Sequence, residues 1–147
     1  MTEFLLTGIP LLLLLLATAQ LSLLWIGKGA VDTAAHMAAR KFARTARSDL
    51  RKAREAAFTE AFQTCRNRPG GSLGSVALTT LDITGGGDHR IDRATAGDAI
   101  CVRLTHGVEL IVPWVDRILF ILSPGEKIRL GGRYYLMLQS ERWVTVE

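Results

Sequence analysis

A chain of 147 residues with a net charge of +4 has room for one small domain beside any membrane segment. Its two cysteines form no CxxC pair and its three histidines are scattered, which excludes a disulfide-dense mini-protein and leaves no set of zinc ligands. The positive charge is concentrated: Lys28 to Arg68 holds ten Lys/Arg against four acids, and from Pro69 onward the balance is close to even.

Taken in chain order, the first feature is a run from Phe4 to Ile26, 23 residues without a charged side chain. As a helix it would be roughly 34 Å long, slightly more than a bilayer's hydrocarbon core. Ala17-Thr18-Ala19 resembles a signal-cleavage site. A secretory signal, however, wants a basic stretch before its apolar core, and here only Met1, Thr2 and Glu3 precede it. Cleavage after Ala19 would also leave Leu21, Leu23, Leu24, Trp25 and Ile26 as an apolar terminus. A retained transmembrane helix over residues 1–27 is the better reading.

Helical character continues beyond it. Val31, Ala35, Ala38, Phe42, Ala46, Leu50, Ala53, Ala57 and Ala61 recur every three or four residues, and no proline intervenes before Pro69. The spacing predicts a soluble continuation of the helix over 28–66, unbroken to near Cys65, with a hinge at Gly27–Gly29. A stripe of alanine permits close approach to other helices, or to the C-terminal domain, while burying little area per residue. Arg40, Arg44, Arg47, Arg51 and Arg54 fall on other faces. They read either as a solvated face, which is favoured, or as a surface for anionic lipid or nucleic acid.

Arg68-Pro69-Gly70-Gly71-Ser72 ends the helix. Residues 67–147 then read as a small β-rich domain, giving an α+β fold: a long N-terminal helix followed by an antiparallel sheet. Strands are expected at 75–84, 100–106, 133–139 and 142–146, with turns at 84–88 and 123–126. Glu109 to Leu122 is ambiguous between a short helix beginning at Pro113 and a buried strand. Cys65 and Cys101 read as a disulfide tying the end of a helix to a strand if the tail lies outside the cytoplasm, or else as two unrelated buried thiols.

No catalytic constellation emerges. His36, His89 and His106 lie in separate contexts, with no Ser-His-Asp or Cys-His arrangement. Asp82, Asp88 and Asp92 near a glycine triplet lack the spacing of a calcium loop, and Gly85–Gly87 lacks the lysine of a phosphate loop. The expectation is a protein that is not an enzyme and uses no metal or other cofactor.

Glu3-Phe4, Pro10, the leucine run Leu11–Leu16 and Ala34-Ala35-His36-Met37-Ala38-Ala39-Arg40 together resemble the TadE-like minor pilins (pseudopilins) of tight adherence pili, relatives of type IV pilins. The likeness covers about 40 residues, and the tail is similar in looser outline, around Ile100-Cys101-Val102-Arg103 and a closing strand pair. In that family a peptidase removes a short basic leader, leaving a glutamate near the new N-terminus, usually as the fifth residue; here it is the third. The chain's own charges, basic after the helix, predict a cytoplasmic C-terminus. A basic leader removed after insertion would instead export the tail.

The resemblance implies a subunit of the bacterial inner membrane with a periplasmic C-terminal domain, oligomeric in a filament or priming complex. Its partners would be the major pilin, fellow pseudopilins, the assembly platform, the prepilin peptidase and membrane lipid, with no nucleic acid. Glu3, Phe4 and Pro10 would serve assembly. Glu3 would pair with the amino group of a neighbouring subunit, since a lone carboxylate costs up to roughly 3 kcal/mol at the bilayer centre. Pro10, lacking an N–H, would loosen the turn before it and ease extraction from the membrane. The competing reading is a single-pass anchored binding module with a basic helix at an anionic surface.

Overall fold

The computed structural model describes residues 2–68, 72–86, 91 and 94–147, with side chains from residue 7 onward. The α+β class expected from the sequence is the one observed. A helix α1 (Thr2–Thr45) is followed by α2 (Leu50–Arg66), a short α3 (Leu73–Ala77), strands β1 (Thr80–Gly85) and β2 (Ala99–Leu110), α4 (Val115–Leu122), and strands β3 (Lys127–Leu130) and β4 (Arg133–Thr145). The four strands form one antiparallel sheet in the order β1-β2-β4-β3.

The alanine stripe does not continue as a single helix to Cys65. Helix α1 ends at Thr45, the chain turns through Ala46–Asp49, and α2 folds back along α1. Asp49 makes the turn possible: its carboxylate accepts the amides of Arg51 and Lys52, which the first turn of α2 would otherwise leave unpartnered. The stripe thus becomes the seam of a helical hairpin. Ala34, Ala35, Ala38 and Phe42 on α1, and Ala53, Ala57, Ala61 and Cys65 on α2, are buried together.

The hairpin lies on one face of the sheet. Ile83, Ile100, Val102 and Leu104 point into the same core as the alanines, as two-residue periodicity requires of alternate β2 positions. Helix α1 runs alongside β4, with Lys28 Nζ donating to the Gln139 carbonyl (2.6 Å) and the Glu147 amide to the Ala43 carbonyl (3.4 Å). Helix α3 covers the other face, where Leu78 packs against Gly107 so closely that a β-carbon there would clash.

Several expectations are corrected. The anticipated hinge at Gly27–Gly29 is continuous helix; Gly27 is buried, and its missing side chain lets Arg68 and Val108 approach α1. The segment expected as a strand over 75–84 begins as α3, capped by the Ser72 hydroxyl on the Ser75 amide, and only residues 80–85 are extended. The two strands expected at 133–139 and 142–146 are one, β4, which ends at Thr145, and the ambiguous stretch resolves as the end of β2 followed by α4. Cys65 and Cys101 are not joined by a disulfide. Cys65 belongs to the hairpin core beside Ile100 and Val102, whereas Cys101, between those two on β2, points to the opposite face of the sheet. Both are buried thiols.

Candidate functional site

The candidate site is the part of α1 that the domain leaves uncovered, together with the neck where it emerges. Helix α1 has 44 residues, about 66 Å at 1.5 Å per residue. Its C-terminal half is docked, with Val31, Ala34, Ala35, Ala38 and Phe42 at zero exposure. In its N-terminal half, Ile9 and Leu11 to Leu15 are exposed. Only 6% of its most apolar 18-residue window is buried, and the helix is long and apolar enough to cross a membrane.

Two hydroxyls in this half are satisfied by the helix itself. The Thr18 hydroxyl donates to the Leu15 carbonyl (2.8 Å) and the Ser22 hydroxyl to the Thr18 carbonyl (2.9 Å), which suits a segment surrounded by hydrocarbon. Pro10 sits inside the helix, which continues through it, and its side chain is exposed. Glu3 and Phe4 lie in the first turns of α1, and their side chains fall outside the described residues.

The neck is set by Gln20. This fully buried side chain turns into the domain, and its Oε1 accepts both the Ile111 amide (3.0 Å) and the Val112 amide (2.9 Å). Gln20 therefore fixes the segment between β2 and α4 against α1 at the level where the helix leaves the fold. Residues 2–19, 18 in number, lie N-terminal to it, a length of about 27 Å against a hydrocarbon core of about 30 Å, with Leu16 and Ala17 still half-buried. The transmembrane stretch expected over residues 1–27 includes Gln20, the single amide side chain inside the leucine-rich run.

Above the neck lies a small buried polar group. The Thr79 hydroxyl and His106 Nδ1 are 2.8 Å apart, and Arg68 is close enough to Cys65 and His106 for their charges to interact. Burial, aided by the Arg68 charge, lowers the His106 pKa to about 4, so the ring is neutral at pH 7. Burial raises the Cys65 thiol, with Arg68 partly opposing, which makes a poor nucleophile. Among the described residues no group of three His, Cys, Asp or Glu is placed to hold a metal ion. Asp82 is exposed on β1, while Asp88, Asp92 and His89 fall outside the described residues.

The basic residues gather at the other end of the molecule. Arg40, Lys41, Arg44, Arg47, Arg51 and Lys52 are exposed around the tip of the hairpin, while Arg54 turns inward to donate to the Ile91 carbonyl (2.8 Å). From Gln20 to Thr45 the helix climbs about 38 Å, so this basic tip stands well away from the neck.

Residues 1–40 match the model of a family described as TadE-like protein. No curated protein and no solved structure matches the chain. The matched stretch covers the free half of α1, the neck and most of the docked half, and ends before the hairpin turns.

Proposed function

We propose that the chain is a minor pilin of the TadE-like kind, anchored in the bacterial inner membrane by the free half of α1 and entering or priming a tight adherence pilus. The observation that carries this reading is the family match over residues 1–40, on a helix whose first half is left bare by its own domain. A helix whose leucines are not used for folding presents them to something else: lipid before assembly, and neighbouring helices afterwards. Glu3 pairs with the amino group of an adjoining subunit and sets the axial register of that packing, and Pro10 weakens the turn before it so that the helix leaves the bilayer. The C-terminal domain is periplasmic, and the partners are other pilin subunits, the assembly platform and the prepilin peptidase.

The reading as an anchored module with a basic helix on an anionic surface fits less well. The exposed arginines stand about 38 Å along α1 from the neck, out of reach of the bilayer that the same helix enters.

Glu3→Ala and Glu3→Gln in cells carrying the rest of the pilus system test the proposal. Both variants should reach the membrane in normal amounts and fail to co-purify with pilin subunits, and a phosphatase fused after Glu147 should be active. Normal co-purification removes the pairing role. An inactive fusion, with a tail protected from external protease in spheroplasts, removes the pilin reading itself.

A further inference from the structure

Helix α4 is apolar on both sides. One side belongs to the domain: Val115 is buried, Leu119 and Phe120 are half-buried, and the Phe120 ring packs on Tyr134 with centroids 4.7 Å apart. The other side is bare. Trp114, Ile118, Ile121 and Leu122, spaced i, i+4, i+7 and i+8, form one stripe with exposures of 75, 48, 74 and 71%. A short helix that keeps a second, bare apolar side beside its buried one is not an ordinary water-facing element, and an exposed apolar patch of this kind marks a surface that is covered in use.

Its position says what covers it. Gln20 binds the amides of Ile111 and Val112, three residues before α4 begins, at the level where α1 leaves the fold, and α4 itself packs on α1. The bare stripe therefore begins at the neck, where the exposed Ile111 (52%) adds to it, and Trp25 (83% exposed) stands about a turn and a half above Gln20 on α1. Cations flank it in the manner of an interfacial element. Arg117 is exposed on α4, and Lys127 Nζ donates to the Phe120 carbonyl (2.8 Å) at the C-terminal end of the helix, where a positive charge suits the helix dipole. Trp114 holds the N-cap with φ of 73°, a left-handed conformation costly for a bulky residue, and it carries an exposed indole there.

We infer that α4 is an interfacial foot. Its bare stripe lies in the headgroup–acyl boundary of the same bilayer that the free half of α1 enters, with Trp114 and Trp25 at the aromatic level and Arg117 and Lys127 toward anionic headgroups. The inference rests on the reading that α1 spans a membrane. It adds a second contact, which fixes the rotation and height of the domain on its anchor and must be released when the subunit leaves the bilayer.

The chain has three tryptophans, at 25, 114 and 143. Trp143 lies on β4, between the levels of Lys28 and Ala43, away from the neck. Three single-tryptophan variants of the full chain, with the other two indoles replaced by phenylalanine, are reconstituted into phosphatidylcholine–phosphatidylglycerol vesicles whose acyl chains are brominated near the glycerol. Trp114 should be quenched at least about two-fold, as Trp25 is, while Trp143 keeps its intensity. Ile121→Asp, at an exposed position, should abolish the quenching of Trp114 and leave that of Trp25 unchanged. Quenching of Trp25 without Trp114 overturns the foot and leaves the spanning helix standing. A blue-shifted but unquenched Trp114 means that protein, not lipid, covers the stripe, and also overturns it. Absence of quenching at both sites removes the spanning helix and the foot together.

Discussion

From Ile9 to Leu15 the side chains of α1 are mostly leucine and stand exposed; from Ala34 to Ala43 the inward ones are mostly alanine and are buried. The larger residues, which gain most from burial, are the ones the fold leaves out. The reason is geometric. Alanine lets α2 and the sheet approach the helix closely, and many short contacts then replace the area that each side chain lacks. Leucines at the same density would hold such neighbours away, so their half finds its apolar surroundings outside the chain. One continuous helix thus separates a folding surface from an environmental one, with Gln20 at the border.

The strongest way to break that division is to remove a large side chain from the docked half. Phe42 is the largest fully buried residue, set among alanines that cannot spread to fill a gap. Phe42→Ala should lower stability by about 3–5 kcal/mol, a large share of what a domain of this size possesses. Denaturant unfolding in detergent, followed by circular dichroism, measures this, and loss of the domain transition with the helical signal of the free half retained is the expected extreme.

The next effect comes from just above the neck. His106 is buried, with a pKa near 4 in the fold against about 6.5 unfolded. Between these values the unfolded chain binds the proton that the folded chain refuses, so stability is complete above pH 6.5 and declines as pH falls toward 4. The difference of about 2.5 units corresponds to a loss of about 3 kcal/mol over that window. Unfolding midpoints between pH 7 and 4 should fall more steeply in the parent than in His106→Gln, which keeps a partner for Thr79 without a titrating ring. Equal slopes would place the ring in water.

A smaller effect lies at the tip, and it bears on what the sequence made legible. The long helix, its exposed apolar half and the sheet follow from composition and periodicity. The turn at 46–49 was harder to read because it contains neither glycine nor proline and the alanine stripe runs through it in phase. Its signal was Ser48-Asp49, a helix N-cap standing inside a helical pattern. The misplaced β1 has a similar cause: Ser72 caps a five-residue helix that β-branched neighbours had disguised as strand. The disulfide failed on parity, since Ile100, Val102 and Leu104 turn Cys101 away from Cys65, and which β2 face meets the helices is decided only by packing. Asp49→Ala should loosen the first turn of α2, with Arg51 and Lys52 amides exchanging several-fold faster while core amides of β2 are unchanged.

The least effect on folding belongs to the free half, and it sharpens the comparison most. Leu14 is 66% exposed and touches none of the core that holds α1, α2 and the sheet together. Leu14→Ala should leave the domain's unfolding free energy within about 0.5 kcal/mol of the parent in detergent, because no folded contact is removed. In cells the same change should reduce recovery of the chain with pilin subunits, since leucine at this position is offered only to what surrounds the helix. A destabilised domain would mean that the free half folds back on its own protein. Unchanged stability together with unchanged recovery would mean that the leucines serve lipid alone, so that helix–helix assembly uses another face of α1.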